Sequence, residues 1–157
     1  VYKLCAKEEN GVYIPTLKIS SSYEKTTNPG IKQVYRFFDK NGQALADLVA
    51  LNDERIETGV NHIFFHPFST QDMFVMRKNA YAVIKPLLKK QMENGKRINP
   101  SPSLKEIQEK SIEMLSLFDK SYKRQVNPHI YKVSLSTKLK NLKGDLIMQA
   151  KMAEDKI

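Results

Sequence analysis

Residues 25–36 read Lys-Thr-Thr-Asn-Pro-Gly-Ile-Lys-Gln-Val-Tyr-Arg, a turn followed at once by a strand pattern. Pro29 presets φ at one turn position, and Gly30 accepts the positive φ that a type II turn needs at the next position. The segment from Ile31 to Phe38 indicates a β-strand. This stretch therefore predicts a tight turn that opens one arm of a hairpin.

Three cations surround this turn, and two interpretations of them stay open. Lys25, Lys32 and Arg36 supply positive charge, and Thr26 and Thr27 add hydroxyl groups. Successive backbone N–H groups in a turn form a concavity that binds anions, so the turn is a candidate for holding an anionic group or pinning a neighbouring domain. The structural alternative is a tight turn with solvated charges beside it.

The first third of the chain predicts two antiparallel hairpins. Four strand patterns occur, over Tyr2–Lys7, Tyr13–Ser20, Ile31–Phe38 and Ala44–Leu51. Asn10-Gly11 and Asn41-Gly42 lie between the members of each pair, and both residue types accept the positive φ of hairpin turns. Pro15 lacks a backbone donor, so we expect it at an edge or a bulge.

Asp47 interrupts an apolar strand pattern between Ala46 and Leu48. By strand alternation its side chain points opposite to both neighbours. One interpretation is a buried carboxylate paired with a lysine or arginine. The other is the polar face of a half-exposed strand, and the sequence favours neither.

Two further segments, Val60–Phe65 and Asp72–Arg77, predict a strand and a short returning strand. His62 and His66 are four residues apart, a spacing that brings two ligands together only on a helix. Here the segment is strand-like and Pro67 ends it. H-E-x-x-H, Walker and G-x-S-x-G motifs are absent from the sequence. We therefore expect no metal site in this chain.

The second half predicts helices. Asn79–Met92 has apolar residues at helical spacing, with Pro86 as a kink or a first-turn proline and Asn94-Gly95 as a stop signal. Ser103-x-x-Glu106 forms a capping box before a second helix. After a short extended run over Tyr131–Leu135, Ser136 is the expected cap of a last helix.

These elements predict an α+β fold, with N-terminal antiparallel β-hairpins followed by a C-terminal group of about three helices. We expect residues 1–78 to be the β-rich part and residues 79–149 to be a helical part packed on it. Residues 150–157 are expected to be a frayed tail.

The composition is that of an ordinary globular chain with a basic surface. Its net charge of +9 comes from 26 basic and 17 acidic residues. No apolar run is long enough to span a membrane, and no signal peptide is evident. Cys5 is the single cysteine, which fits a reduced, cytoplasmic protein. Because Val1 enters a strand pattern without an initiating Met, we expect a piece of a longer polypeptide.

Five segments occur in a distinctive order: Val1-Tyr2-Lys3-Leu4, Lys25-x-Thr27-x-Pro29-Gly30-x-Lys32-x-x-Tyr35-Arg36, Ala46-Asp47-Leu48, Pro102-Ser103-Leu104-x-x-Ile107 and Arg124-x-x-Asn127-Pro128-x-x-Tyr131-x-Val133-x-Leu135-Ser136. Each segment is weak alone. Together they resemble the C-terminal region of the nicotinate phosphoribosyltransferase family, and the resemblance extends as far as Leu146.

This resemblance implies a parent enzyme that joins nicotinate to phosphoribosyl pyrophosphate, giving nicotinate mononucleotide for NAD biosynthesis. It implies coupling to ATP hydrolysis through a phosphorylated histidine, with Mg²⁺. These groups belong to a barrel that precedes this region, so no cofactor is expected to bind here. His62, His66 and His129 match no motif of the phosphorylated histidine, and none receives a catalytic role.

The resemblance also implies partners: the upstream barrel of the same parent chain and a second copy in a homodimer, with no membrane. The candidates for contact with an anionic ligand or a barrel carboxylate are Lys25, Lys32, Arg36 and, more weakly, Arg124. The alternative function is a free-standing basic module, either nucleic-acid-binding or regulatory. Charge alone supports nucleic-acid binding, and the glycines of the usual RNA-recognition signature are missing.

Overall fold

In the computed structural model of the chain, residues 3–69 and 71–154 are described. They form ten strands and two α-helices, α1 and α2. The bounds are β1 Ala6–Glu9, β2 Val12–Pro15, β3 Lys32–Phe38, β4 Ala44–Leu51, β5 His62–Phe65, β6 Met73–Met76, β7 Val83–Pro86, β8 Met92–Glu93, β9 Lys96–Arg97, α1 Leu104–Ser116, β10 Lys132–Leu135 and α2 Thr137–Glu154.

Six strands form one mixed sheet in the order β6-β5-β10-β4-β3-β7. β10 runs parallel to β4, and the other neighbours are antiparallel. The pairs β1–β2 and β8–β9 form separate hairpins. β7 and β10 both follow residue 78, so strands from either side of that position share a single sheet.

The first predicted hairpin is confirmed, with shorter arms. Asn10 and Gly11 take φ values of 53° and 79° between β1 and β2. Tyr2, at the start of the predicted first strand, lies outside the described residues. The prediction of a second strand through Ser20 is wrong, because β2 ends at Pro15. A proline lacks the N–H that a longer ladder would need.

The Pro29-Gly30 turn lies where the sequence predicts it, and its glycine has two physical reasons. Gly30 has a φ of 80°, and a Cβ on it would be 2.8 Å from the Leu51 side chain. Its N–H donates to the Cys5 carbonyl at 2.7 Å. Any other residue would be strained and would also clash. The turn is therefore packed against the end of β4 rather than projecting into solvent.

The second predicted hairpin is also confirmed, since β3 and β4 pair antiparallel around Asn41-Gly42. Gly42 has a φ of 78°. The Asp39 carboxylate accepts the backbone N–H groups of Asn41 and Gln43, both at 2.8 Å. This local hydrogen bonding is the reason an aspartate favours such a loop.

The helix predicted over Asn79–Met92 is wrong, because the segment contains β7 and the first residue of β8. β7 pairs antiparallel with β3, and Leu87 extends the pairing by donating its N–H to Val34 at 2.8 Å. As an edge strand, β7 tolerates Pro86 where a helix interior would not. The apolar spacing of this segment is compatible with a helix or a strand. Pairing with the open edge of β3 makes it a strand.

Asn94-Gly95 forms a hairpin turn rather than a helix stop. The φ values are 48° and 74°, and the turn joins β8 to β9. The expected group of about three helices is consequently reduced to two α-helices, supplemented by short 3₁₀ segments at Tyr23–Lys25 and Lys120–Lys123. Positive φ suits helix ends and hairpin turns alike, so this dipeptide alone does not distinguish them.

Both remaining helix starts are confirmed. At α1, the Ser103 hydroxyl accepts the Glu106 N–H and the Glu106 carboxylate accepts the Ser103 N–H at 2.6 Å, which completes the capping box. At α2, the Ser136 hydroxyl accepts the Leu139 N–H at 3.1 Å. α2 continues through Glu154, into the predicted tail, and residues 155–157 lie outside the described residues.

The core lies on one face of the sheet around Phe37, which is fully buried. Phe64 and Tyr81 pack edge-to-face on its ring, each with centroids 5.0 Å away. α2 covers the opposite face, where Leu139 is fully buried, and packs on β4 and β5. Within the described residues, neither helix is both long and apolar enough to cross a membrane.

Candidate functional site

Arg36 and Asp47 form a buried ion pair. The Arg36 Nε and a terminal nitrogen donate to the two carboxylate oxygens, each at 2.8 Å. Arg36 is 8% exposed and Asp47 is 6% exposed. Such a bidentate pair is stronger than a single hydrogen bond and is directionally specific. Of the two interpretations of Asp47, the structure shows the buried carboxylate paired with an arginine.

Two aromatic residues complete this cluster. The Tyr131 hydroxyl donates to the Asp47 carboxylate at 2.9 Å. The Arg36 guanidinium lies 4.8 Å from the centre of the Phe118 ring and 5.8 Å from that of Tyr131. Both contacts are within the range of a cation–π interaction. We call Arg36, Asp47, Phe118 and Tyr131 the arginine cluster.

Three separate stretches of chain bring this cluster together. Arg36 and Asp47 are directly opposite in the β3–β4 pair. Tyr131 immediately precedes β10, which enters the sheet parallel to β4 with Val133 opposite Asp47. Phe118 follows α1, whose end is tied down where the Ala44 N–H donates to Leu117 at 2.8 Å. The cluster therefore fastens the C-terminal segment onto the hairpin.

The ionisation states in the cluster follow from these contacts. The hydrogen bond with Asp47 raises the pKa of Arg36, so the guanidinium stays charged. Burial, and then the charge of Asp47, raises the pKa of Tyr131 well above its ordinary value. Tyr131 is therefore a neutral hydrogen-bond donor at physiological pH.

Replacing Tyr131 by phenylalanine should lower the free energy of unfolding by about 1–3 kcal/mol at neutral pH, because a buried acceptor on Asp47 loses its donor. The difference should shrink above about pH 10, the ordinary pKa of tyrosine. There the unfolded wild-type chain releases the Tyr131 proton and the folded chain keeps it, so wild-type stability falls. Urea denaturation of both proteins from neutral pH to above pH 10 measures the loss of stability and its dependence on pH. A stability difference that stays constant with pH would contradict the raised pKa of Tyr131.

An apolar groove lies beside the cluster, with a cavity of about 460 Å³. β10 pairs with β5 at a single position, Leu135 opposite Phe65, and residues 66–68 then line one wall. Residues 130–135 line the other wall, and Ile130 and Val133 are 89% and 45% exposed. The lining is mostly apolar and therefore suited to burying an apolar group, and its titratable members include His66, Asp72 and Lys132.

The three histidines make structural contacts. His62 lies 2.8 Å from the Glu57 carbonyl through Nε2 and packs against the aromatic core. The Nδ1 atom of His66 accepts two backbone N–H groups of the following turn, at 3.2 and 3.0 Å. His129 packs edge-on against a tyrosine ring. The groups around them offer no partner arrangement typical of a nucleophile and its base.

The four candidate anion-binding residues contact different parts of the chain. Arg36 is buried in the arginine cluster, and Lys32 donates its Nζ hydrogen to the Gly30 carbonyl. Lys25 is exposed at the end of the first 3₁₀ segment. Arg124 follows the second 3₁₀ segment and is exposed. Contact of Lys25, Lys32 or Arg124 with an anionic ligand or a carboxylate of the parent chain stays a prediction.

Sequence analysis missed Lys143, which is 2% exposed on the inner face of α2. Its Nζ donates to the Asn28 side-chain oxygen at 3.0 Å, so α2 is anchored to the Asn28-Pro29-Gly30 turn. Burial lowers the pKa of Lys143. A signal was present: Leu139 lies four residues earlier and Leu146 three later, which puts position 143 on the apolar stripe.

The donor groups of the chain do not fit the Mg²⁺ that the resemblance implies. Throughout residues 3–69 and 71–154, no three His, Cys, Asp or Glu side chains form a group suited to a metal ion. Magnesium needs carboxylate or phosphate oxygens that are free to coordinate it. The buried carboxylate of Asp47 already accepts from Arg36 and Tyr131.

Comparison with known proteins agrees with the resemblance. A family model described as the nicotinate phosphoribosyltransferase C-terminal domain matches residues 31–143, which include the whole arginine cluster. The nicotinate phosphoribosyltransferase of Bacillus subtilis is 39% identical over 139 residues, which are 87% of this chain and 27% of that protein. The Caenorhabditis elegans enzyme is 38% identical over 141 residues, 88% of this chain and 24% of that protein.

A solved structure points the same way. The crystal structure of human nicotinic acid phosphoribosyltransferase superposes with a TM-score of 0.67 and 28% identity, covering 77% of this chain and 24% of that chain. The chain spans about a quarter of the length of these relatives. The fold, the matched range and the relatives agree, and the chain belongs to the nicotinate phosphoribosyltransferase C-terminal domain family.

Proposed function

We propose that this chain works as the C-terminal domain of an enzyme that makes nicotinate mononucleotide from nicotinate and phosphoribosyl pyrophosphate with ATP hydrolysis. The family match over residues 31–143 carries this proposal. The named relatives are all nicotinate phosphoribosyltransferases, and they give no support to a free-standing nucleic-acid-binding or regulatory module. The net charge of +9 is the only feature in favour of nucleic acid.

The part played by this domain is structural rather than catalytic. Two of its buried charged groups, Arg36 and Asp47, are paired with each other, and Asp47 also accepts from Tyr131. Paired and desolvated groups of this kind maintain a fold and are not available to substrate. Mg²⁺ and ATP, which the resemblance implies for the parent enzyme, are part of the same proposal and are placed in its upstream part.

The partners in this proposal are the upstream barrel of the parent chain and a second copy in a homodimer. A cytoplasmic location is part of the same proposal, because Cys5 is an unpaired thiol in a metabolic enzyme domain. Lys25, Lys32 and Arg124 remain the candidates for contact with the barrel or with an anion. Their exposure in the present chain is compatible with such contacts for Lys25 and Arg124.

The longest native polypeptide that contains this chain should form nicotinate mononucleotide, and ATP should increase the rate. The measurement is product formation from nicotinate and phosphoribosyl pyrophosphate with and without ATP. The 157-residue chain by itself, assayed in parallel, should form none. A well-folded parent without product would contradict the proposed activity, and product from the chain alone would contradict its structural role.

A further inference from the structure

Helix α1 has an apolar face that the rest of the described chain leaves uncovered. None of its 13 residues is buried. Four of its apolar side chains are 51–71% exposed, namely Leu104, Ile107, Ile112 and Leu115. A helix that is surrounded by water gains no stability from placing its apolar residues on one face. The arrangement of the apolar residues around α1 therefore indicates whether the helix has a partner.

The residues of α1 are arranged as in an amphipathic helix that packs against a partner. At 3.6 residues per turn, the apolar positions of α1 fall on one side together with two uncharged polar residues. The opposite side holds all its charged residues: Lys105, Glu106, Glu109, Lys110 and Glu113. Lys105 and Glu109 form an exposed i,i+4 ion pair there. One face is therefore suited to water and the other to a partner.

The stability of α1 leads to the same conclusion. An isolated helix shorter than about 12–15 residues is marginal in water, and most helical stability in proteins comes from packing of an apolar face. The capping box at Ser103 and Glu106 marks the start of α1 well, but a cap contributes only about 1 kcal/mol. A docked apolar face would supply what the cap cannot.

The whole molecule exposes more surface than a compact protein of its size. Its accessible surface is 11,850 Å², whereas a compact monomer of 18.1 kDa exposes roughly 8,100 Å². An excess of this size is expected of a domain that lies against a larger body. In the relatives, the remainder of the protein is large enough to be that body, since this chain covers only 24–27% of their length.

We propose that the apolar face of α1, centred on Leu104 and Leu115, docks onto the preceding part of the same parent polypeptide. This inference rests on the proposed function, because it requires a longer parent of the family length. The occupant is an apolar surface of the same chain, so docking is intramolecular and independent of concentration. A second copy is the competing occupant, and dilution separates the two.

Thiol labelling of the full-length parent tests this inference with a matched pair on one helix. Leu115→Cys and Glu113→Cys lie two residues apart, on opposite faces of α1, and both positions are exposed in the present structure. In the native parent, Leu115→Cys should react with a maleimide at least about tenfold more slowly, because a covered thiol reacts only when the helix opens. Both should react equally in urea. Peptide mass spectrometry separates them from Cys5.

Equal native labelling of the two variants would overturn the inference. Slow labelling of Leu115→Cys that is lost on dilution to the monomer would also overturn it, in favour of a second copy. Hydrogen exchange in the unsubstituted parent avoids any folding defect of the variants, and α1 amides that exchange as fast as an isolated helix would contradict docking. Nicotinate mononucleotide assays on the same preparations separate a failure of docking from a failure of the proposed function.

Discussion

Arg36→Ala should lower the free energy of unfolding by about 3–5 kcal/mol, because it leaves a buried carboxylate without its counter-charge. Asp47 is 6% exposed and its two oxygens both accept from Arg36. The substitution also removes the contacts of the cation with the rings of Phe118 and Tyr131. Urea denaturation of the chain measures the loss from the shift in midpoint at constant slope.

Two further variants separate the buried charge from a general effect of substitution. The double change Arg36→Met with Asp47→Leu should recover part of the lost stability, since replacing both members of a buried pair by apolar residues is often neutral or better. The Tyr131 hydroxyl then loses its acceptor, which limits the recovery. Lys105→Ala removes an ion pair whose side chains are 84% and 64% exposed, and it should leave the midpoint unchanged. A double variant as unstable as Arg36→Ala would contradict the explanation.

In the proposed parent enzyme, the same Arg36→Ala change tests whether the arginine cluster supports the activity. We expect a lower melting temperature, together with reduced nicotinate mononucleotide formation if the domain supports the active parent. Unchanged kinetics with an unchanged melting temperature would contradict any role for Arg36, whether internal or at an interface with the barrel.

Phe37→Ala should cost about 3–5 kcal/mol, the usual loss for a phenylalanine in a packed core. Phe37 is fully buried. Its ring makes edge contacts with His62, Phe64 and Tyr81 at 5.2, 5.0 and 5.0 Å. His62 and Phe64 are held in β5, and Tyr81 lies two residues before β7, so these residues cannot all move inward to fill the cavity. The free energy of unfolding from urea denaturation gives the value.

Phe68→Ala is the matched control for this core substitution. It removes the same atoms from a side chain that is 50% exposed on the groove wall, so its loss should be much smaller. Phe37→Leu should fall between the two, because it keeps part of the buried volume. Equal losses for Phe37→Ala and Phe68→Ala would show that the core is not centred on Phe37.

Much of the first half could be predicted because its signals are local. Gly11, Gly30 and Gly42 each take a positive φ, and the turns follow from that single backbone preference. The register of the β3–β4 pair could also be predicted from the sequence. A hairpin centred on Asn41-Gly42 places positions 36 and 47 opposite each other, as observed. Applying that count would have identified Asp47 as the partner of Arg36 instead of leaving its environment open.

The segment over residues 79–97 shows where local signals are insufficient. Its apolar spacing fits a helix, yet Ile84 lies opposite Phe37 in a strand pair. The Gln33 side chain bonds both the N–H and the carbonyl of Leu88, at 2.8 and 3.0 Å. These partners are about 50 residues away in the chain, and no window of sequence around residue 84 contains them.

By itself, the sequence determined the turns, the helix caps at Ser103 and Ser136, and the ordered segments of one enzyme family. Only the tertiary structure decided that β10 enters the sheet beside β4, that Tyr131 reaches Asp47 across 84 positions, and that α1 is left with an open apolar face. Turns and caps depend on backbone preferences within a few residues. Strand pairing and the burial of charges depend on which surfaces from distant parts of the chain pack against each other and exclude water. These contacts form only when the whole chain packs.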